Sequence, residues 1–343
     1  MKDPFNDLFP IKSASEWIEE SKKKPIPKKI FDEFWYEGEL CILFADTNVG
    51  KSILAVQIAN SISKGETIDD LVVEIQKQPV LYYDFELTEK QFENRYSRDY
   101  SNHYEWDENF KRVQLNPSAD IPTPFTFDSF LSVAIEKAIV THGIKVIILD
   151  NLTYLTSNGG NAREALATMK NLNKWKIKYG LSILVLAHTP KRNPTKPITS
   201  NDLLGSKNLM NFCDSAFTIG QSNRDNNLKY LKQIKQRNSS QIFSSENVWI
   251  CEIVKPESFL KFQFVEYGSE AEHLKVQKAE DVERLAIEVL TLHLEGKSLR
   301  EIGRSLGISH MKASRILKAN PEECNVTLQP IQPQINTTPL IEK

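Results

Sequence analysis

Short apolar runs alternate with amphipathic stretches along most of the chain, in an order that predicts strand, helix, strand, helix. Glu39-Leu40-Cys41-Ile42-Leu43-Phe44 is an apolar run of strand length, and residues 53–60 read as the helix that follows it. Further strands are predicted over residues 79–86, 144–150 and 181–187, with amphipathic helices over 127–140 and 162–179. Strands apolar at nearly every position belong to a parallel sheet covered on both faces. Another helix opens at 203–207. The runs at 217–219, 230–235, 248–254 and 259–265 then succeed one another without a helix between them, so they predict antiparallel strands that close the sheet. Residues 101–125 are polar, aromatic and proline-bearing, and are assigned only loosely.

Between the first of these strands and its helix lies Ala45-Asp46-Thr47-Asn48-Val49-Gly50-Lys51-Ser52, which reads as a phosphate-binding loop. In a strand–loop–helix setting, backbone N–H groups of the loop and the helix N-terminus point at one spot and favour an anion there. Lys51 adds a full positive charge for the β- and γ-phosphates of ATP, and the Ser52 hydroxyl suits Mg²⁺. Such loops usually open with glycine, and here the position is Ala45. Alanine does not readily take a positive φ, so this loop must begin in an ordinary conformation.

Ligands of a parallel sheet bind beyond the carboxyl ends of its strands, and several ends here carry chemistry. Glu86 is placed to orient or activate a water, or to cap the helix that begins next to it. Asp150 ends the buried run 144–150 and matches the second NTPase motif, whose Asp holds Mg²⁺ through water. His188 ends the run 181–187 and is suited to reading the γ-phosphate, or to a backbone hydrogen bond. Residues 189–201 carry Lys191, Arg192 and Lys196 among three prolines, which makes them a candidate DNA-contacting loop or a plain surface loop. The strand from Tyr230 ends Lys235-Gln236-Arg237. Alternation sets Lys235 and Arg237 on one face, where they reach a nucleotide held by a neighbouring subunit or remain solvated.

Bulk properties narrow the class. The net charge of -2 gives no global pull toward nucleic acid, so any DNA contact rests on local patches. Cys41, Cys213, Cys251 and Cys324 are scattered without a CxxC pair. The first three sit in apolar runs as expected buried thiols, which fits a reducing cytoplasm. Met1-Lys2-Asp3-Pro4 lacks the apolar core of a signal peptide, and no apolar run is long enough to cross a membrane. Residues 1–30 read as an arm with one short helix and a basic, proline-broken run at 21–29.

Together, the loop at 45–52, Glu86, the run ending in Asp150, His188 and Lys235-x-Arg237 resemble the RecA-fold ATPases. The nearest branch is the hexameric helicases, the plasmid-replication RepA-like and replicative DnaB-like ATPases. The resemblance covers residues 31–268 and includes Arg95, where that family carries an arginine. It implies an α/β RecA-like P-loop core with a mixed, mainly parallel sheet flanked by helices. It also implies Glu86 as catalytic glutamate, His188 as γ-phosphate sensor, and a Lys235/Arg237 pair acting across subunits of a hexameric ring that holds single-stranded DNA in its channel. Ala45 departs from the family pattern, and the loops after Asp150 and His188 match no particular DNA-binding loop.

A charged linker is expected at 269–279, followed by a small all-α domain over 280–320 and a disordered tail at 321–343. Residues 299–318 read as helix-turn-helix: Ile302, Leu306, Ile308, Ala313 and Ile316 form its core, Gly303 lets the helices approach, Gly307 turns, and Ser309 caps the second helix. The open face of that helix carries His310, Met311, Lys312, Ser314, Arg315 and Lys318, suited to duplex DNA. The expectation is an ATP-hydrolysing, ring-forming, DNA-associated motor or loader that uses Mg²⁺, in the setting of a plasmid, phage or other mobile element. The rivals are an ATP-switched DNA-binding regulator and an ATPase that remodels a protein partner.

Overall fold

A computed structural model describes residues 9–116, 118–155, 162–204, 206–276 and 279–320. Cys324, residues 156–161 of the loop expected after Asp150, at 151–161, and the expected tail lie outside them. The chain divides into two units, 1–275 and 276–343.

The first unit is built on β3 (Leu40–Ala45), an unbroken buried strand. Its side chains alternate between two cores. Cys41, Leu43 and Ala45 face one cluster, and Leu40, Ile42 and Phe44 face the other. Around it lie β4 (Val80–Asp84), β7 (Phe110–Val113), β8 (Val146–Asp150), β9 (Ser182–His188), β10 (Ser215–Gln221), β11 (Leu228–Lys235), β12 (Val248–Val254) and β13 (Lys261–Gly268). The sheet order is β13-β12-β11-β10-β3-β9-β8-β4-β7. From β10 to β7 the neighbours are parallel, and β11, β12 and β13 pair antiparallel. This is the expected α/β core with a mixed, mainly parallel sheet. The order has a functional consequence: β9, which ends at His188, runs between β3 and β8.

Helix α2 (Lys51–Lys64) packs Leu54, Ala55, Ile58, Ala59 and Ile62 on one face of the sheet. On the other face lie α4 (Phe127–His142) and α5 (Ala162–Tyr179), through Ile135, Ile139, Met169, Leu172 and Trp175. The short α6 (Ser206–Phe212) precedes β10 and adds Leu209 and Met210 to that face. Three small elements were not anticipated. The hairpin β1 (Lys29–Phe31) with β2 (Trp35–Tyr36) seats Phe31 and Phe34 against Phe217. After the short α3 (Glu89–Arg95), the bridge β5 (Ser97–Arg98) with β6 (Asn102–His103), and the edge strand β7, fall within or beside the loosely assigned 101–125. Cys41, Cys213 and Cys251 are buried free thiols.

The arm is exposed. α1 (Ala14–Ser21) is held by a Ser13/Glu16 capping box and buries no residue. The expected linker needs correction, because its first part belongs to the first unit. In α7 (Glu270–His273) both terminal side chains are fully buried. Glu270 accepts from the Ile198 N–H at 2.7 Å and pairs with Lys232, which also donates to the Ile198 carbonyl at 2.8 Å. A charge-rich stretch reads as solvated in sequence, yet here Glu270 is buried against a buried cation.

In the second unit α8 (Ala279–Leu294), α9 (Leu299–Leu306) and α10 (His310–Ala319) meet around Val289, Ile302 and Ala313. Ser298 caps α9 through a box with Glu301, and Ser309 caps α10. Gly303 lies where a Cβ would stand 2.8 Å from the Ile308 carbonyl oxygen, a backbone atom that cannot move aside. Gly303→Val is expected to destabilise this unit by about 1–3 kcal/mol. Hydrogen exchange should then quicken in α9 and α10 and stay unchanged in β3 and β9. Unaltered exchange in α9 and α10 would refute the close-packing account.

Candidate functional site

The loop after β3 turns into α2 through Asn48 and Gly50, both at positive φ, while Ala45 ends the strand in ordinary geometry. Gly50 is required twice over. Its φ of 104° favours glycine, and a Cβ there would stand 2.8 Å from Ile253 and Phe262. Lys51 is only 7% exposed. Its ammonium donates to the Ala45 carbonyl at 2.9 Å and the Asp46 carbonyl at 2.8 Å. Burial pulls its pKa down, and the more distant Asp150, Glu86 and Asp46 partly restore it.

β8 carries Asp150 to the same edge. The carboxylate accepts from the Tyr82 hydroxyl at 2.7 Å and is hydrogen-bonded to Ser52. Burial raises its pKa to about 6, against those two hydrogen bonds. Its register partner on β4 is Asp84, whose own charge is met by Arg112 at 2.8 Å. Ser52 and Asp150 therefore lie side by side beside the buried ammonium. Among the described residues no group of three or more His, Cys, Asp or Glu forms a metal cage. Mg²⁺ suits such a sparse site, because it takes one or two protein ligands and completes its shell with waters and substrate phosphates.

Glu86 follows the end of β4, and His188 ends β9. The Asn151 amide joins them, donating to the Glu86 carboxylate and lying 3.1 Å from His188 Nε2. His188 Nε2 is 3.5 Å from Glu86 Oε1. His188, then Lys51 and Arg95, hold the Glu86 carboxyl below its ordinary range. It is thus an anion at neutral pH, able to accept a hydrogen bond from a water and orient it. Among the described residues at this edge, two nitrogens are buried without a hydrogen-bond partner, Arg95 Nη1 and His188 Nδ1, the latter a donor in one of its neutral tautomers. Unmet buried donors around a buried ammonium are what an anionic phosphate chain satisfies, so the residues fit a Mg²⁺–nucleotide.

A model described as AAA domain matches residues 7–194, more than half of the chain. The chain belongs to the AAA domain family. It is a P-loop ATPase by that membership and by its loop. A KaiC-like protein from the hyperthermophilic archaeon Pyrococcus horikoshii OT3 has a similar structure, with a TM-score of 0.45 and 12% identity over 67% of this chain and 91% of that chain. No curated protein matches.

Beyond this shared edge, the AAA unit places the remaining candidates apart. Lys235 lies opposite Ala216, at the start of β10, whereas Ala45 lies opposite Ile219 near its end. Lys235 and Arg237 are therefore at the edge away from the phosphate loop. There Lys235 donates to the Met210 and Cys213 carbonyls, and Arg237 pairs with Asp214 at 3.2 Å. Lys191 is exposed, as a nucleic-acid contact requires. Arg192 is a correction. Its side chain, 8% exposed, turns inward to Asp46 rather than outward, because the loop offers it a carboxylate and the Lys196 carbonyl. In the second unit His310, Arg315 and Lys318 are exposed, and Lys312 and Ser314 are half-buried. Sequence reading missed Tyr82 and Asn151. The signal for Tyr82 was its two-residue spacing from Asp84 on one strand face. Asn151 had only its place after Asp150.

The raised Asp150 pKa has a sign that can be checked. Mg²⁺ needs the carboxylate, so a proton competes below the pKa. Mg²⁺-dependent nucleotide binding should weaken as pH falls through about 6, roughly tenfold per unit below it. Tyr82→Phe removes a hydrogen bond to the charged form and should move that midpoint upward. Titration calorimetry across this range checks both, and a flat profile would contradict the account.

Proposed function

We propose that this AAA-family ATPase is a DNA-associated, ring-forming motor or loader whose hydrolysis site is completed by a neighbouring copy. The observation that carries the proposal is the division of its chemistry between two edges. Lys51, Ser52, Asp150, Glu86 and His188 share one edge, while Lys235 and Arg237 sit at the opposite one. A chain that carries a site on one edge and its missing cations on the other pairs head to tail, and such contacts close into rings or run on as filaments. The expected hexamer and the setting of a plasmid, phage or mobile element rest on the resemblance to RepA-like and DnaB-like helicases.

In this reading Lys51 binds the β- and γ-phosphates, and Ser52 and Asp150 hold Mg²⁺, which supplies positive charge along the phosphate chain. Glu86 takes a proton from the attacking water. His188 and Asn151 orient that carboxylate and connect it to the segments that follow β8 and β9. Arg237, with Lys235, approaches from the neighbour and stabilises the charge on the transferred phosphoryl group, an effect of order 10³–10⁵ in rate where it has been measured. Lys191 contacts single-stranded DNA in the channel. The α9–α10 pair, with His310, Lys312, Ser314, Arg315 and Lys318 on one helix, contacts duplex DNA as a helix-turn-helix.

That second unit also supports the rival of an ATP-switched DNA-binding regulator. Hydrolysis by the wild type and Glu86→Gln, with and without single-stranded DNA, separates the two. The motor reading expects hydrolysis stimulated by single strands and reduced at least a hundredfold in Glu86→Gln, with nucleotide binding retained. Slow hydrolysis indifferent to single strands would favour the regulator.

A further inference from the structure

An acid at the second position of an anion-binding loop is an electrostatic contradiction. Asp46 sits where backbone donors and Lys51 are arranged to attract phosphate, and its carboxylate is 44% exposed. Left alone, it would repel the ligand that the rest of the loop attracts.

The structure shows what offsets it. Arg192, four residues beyond the end of β9, directs its guanidinium back to the loop, with Nε 3.5 Å from Asp46 Oδ2. The same guanidinium donates to the Lys196 carbonyl at 3.1 Å and is hydrogen-bonded to Tyr230. Tyr230 in turn donates to the buried Glu270 at 3.2 Å. Thr189 joins from the same segment, its hydroxyl donating to Asp46 and its N–H to the Ala45 carbonyl at 3.3 Å. The first two residues of the phosphate loop are thus braced by the loop that follows His188, at the position where the usual glycine is replaced by alanine.

We propose that Arg192 is a positioning residue for nucleotide binding: it neutralises Asp46, so that the affinity of the phosphate loop for ATP depends on the conformation of the basic loop 189–199. The inference rests on the reading of 45–52 as a nucleotide site. It assigns that site a regulator within the same chain. Lys191 and Lys196 are exposed on the regulating loop, so a ligand that shifts this loop changes how far Asp46 is neutralised and, with it, nucleotide affinity. By reciprocity, bound nucleotide would change the loop's hold on that ligand by the same factor.

The test is equilibrium binding of a non-hydrolysable ATP analogue to the full chain as wild type, Arg192→Gln, Asp46→Asn and the double variant, at low and high salt. Arg192→Gln should weaken binding about tenfold at low salt and less at high salt, because the exposed carboxylate is screened. Asp46→Asn alone removes the loop's own negative charge and leaves Arg192 uncompensated, so it should tighten binding at low salt and do so less at high salt. Adding Asp46→Asn to Arg192→Gln should restore binding, a rescue that a merely structural arginine would not show. Unchanged binding in Arg192→Gln, or a double variant as weak as the single one, would overturn the proposal. If Arg192→Gln does not fold, Asp46→Asn decides alone: tighter binding at low salt would uphold the proposal, and equal or weaker binding would overturn it. A wild-type chain that binds no nucleotide would instead sink the nucleotide-site reading, and the inference with it.

Discussion

A buried ammonium with no carboxylate in contact is the constraint on which the site depends. Lys51 lies at the start of α2, and its ammonium is held by two backbone carbonyls of its own loop. Burying a cation is expensive unless it is paired. The surrounding carboxylates, Asp150, Glu86 and Asp46, attract it without touching it among the described residues. Each has another partner: Asp150 has Tyr82 and Ser52, Glu86 has Asn151 and His188, and Asp46 has Thr189 and Arg192. The ammonium therefore remains available to an incoming anion, at the cost of a lowered pKa.

The sheet order makes this possible. With β9 between β3 and β8, the three strand ends at Ala45, His188 and Asp150 stand in sequence, one strand spacing apart. β4 adds Glu86 just beyond. No single segment builds the site, and a shift of one residue in any pairing would turn an acid or the histidine into the core. The alternating burial of β3 and β9 between two clusters excludes such a shift.

Much of this was legible in sequence because it rests on local signals. Apolar runs ending in Glu86, Asp150 and His188, and the Gly50-Lys51-Ser52 turn, report strand ends and a helix start without reference to anything distant. The parallel core, the antiparallel closing strands and the capped α9–α10 pair followed from period and caps. What failed depends on contacts between distant residues. The Ser269–Lys275 stretch has a linker's composition, but Glu270 meets Lys232 and Ile198. Arg192 has the composition of a surface contact, but Asp46 lies across the fold from it in sequence. Asn151 and Tyr82 enter the site only through the geometry of three neighbouring strands. The small hairpin β1–β2 is too short for any period to announce it.

The central claim is that each chain carries half a hydrolysis site, and mixing inactive variants tests it most directly. In the proposed arrangement Glu86→Gln lacks the base and Arg237→Ala lacks the cation offered to a neighbour, so each should hydrolyse ATP poorly alone. Mixed in equal amounts and reassembled, a Glu86-intact subunit can meet an Arg237-intact neighbour. The rate should then recover to about a quarter of wild type, the share of interfaces with both groups in a random head-to-tail assembly. A mixture no more active than its components would contradict the account.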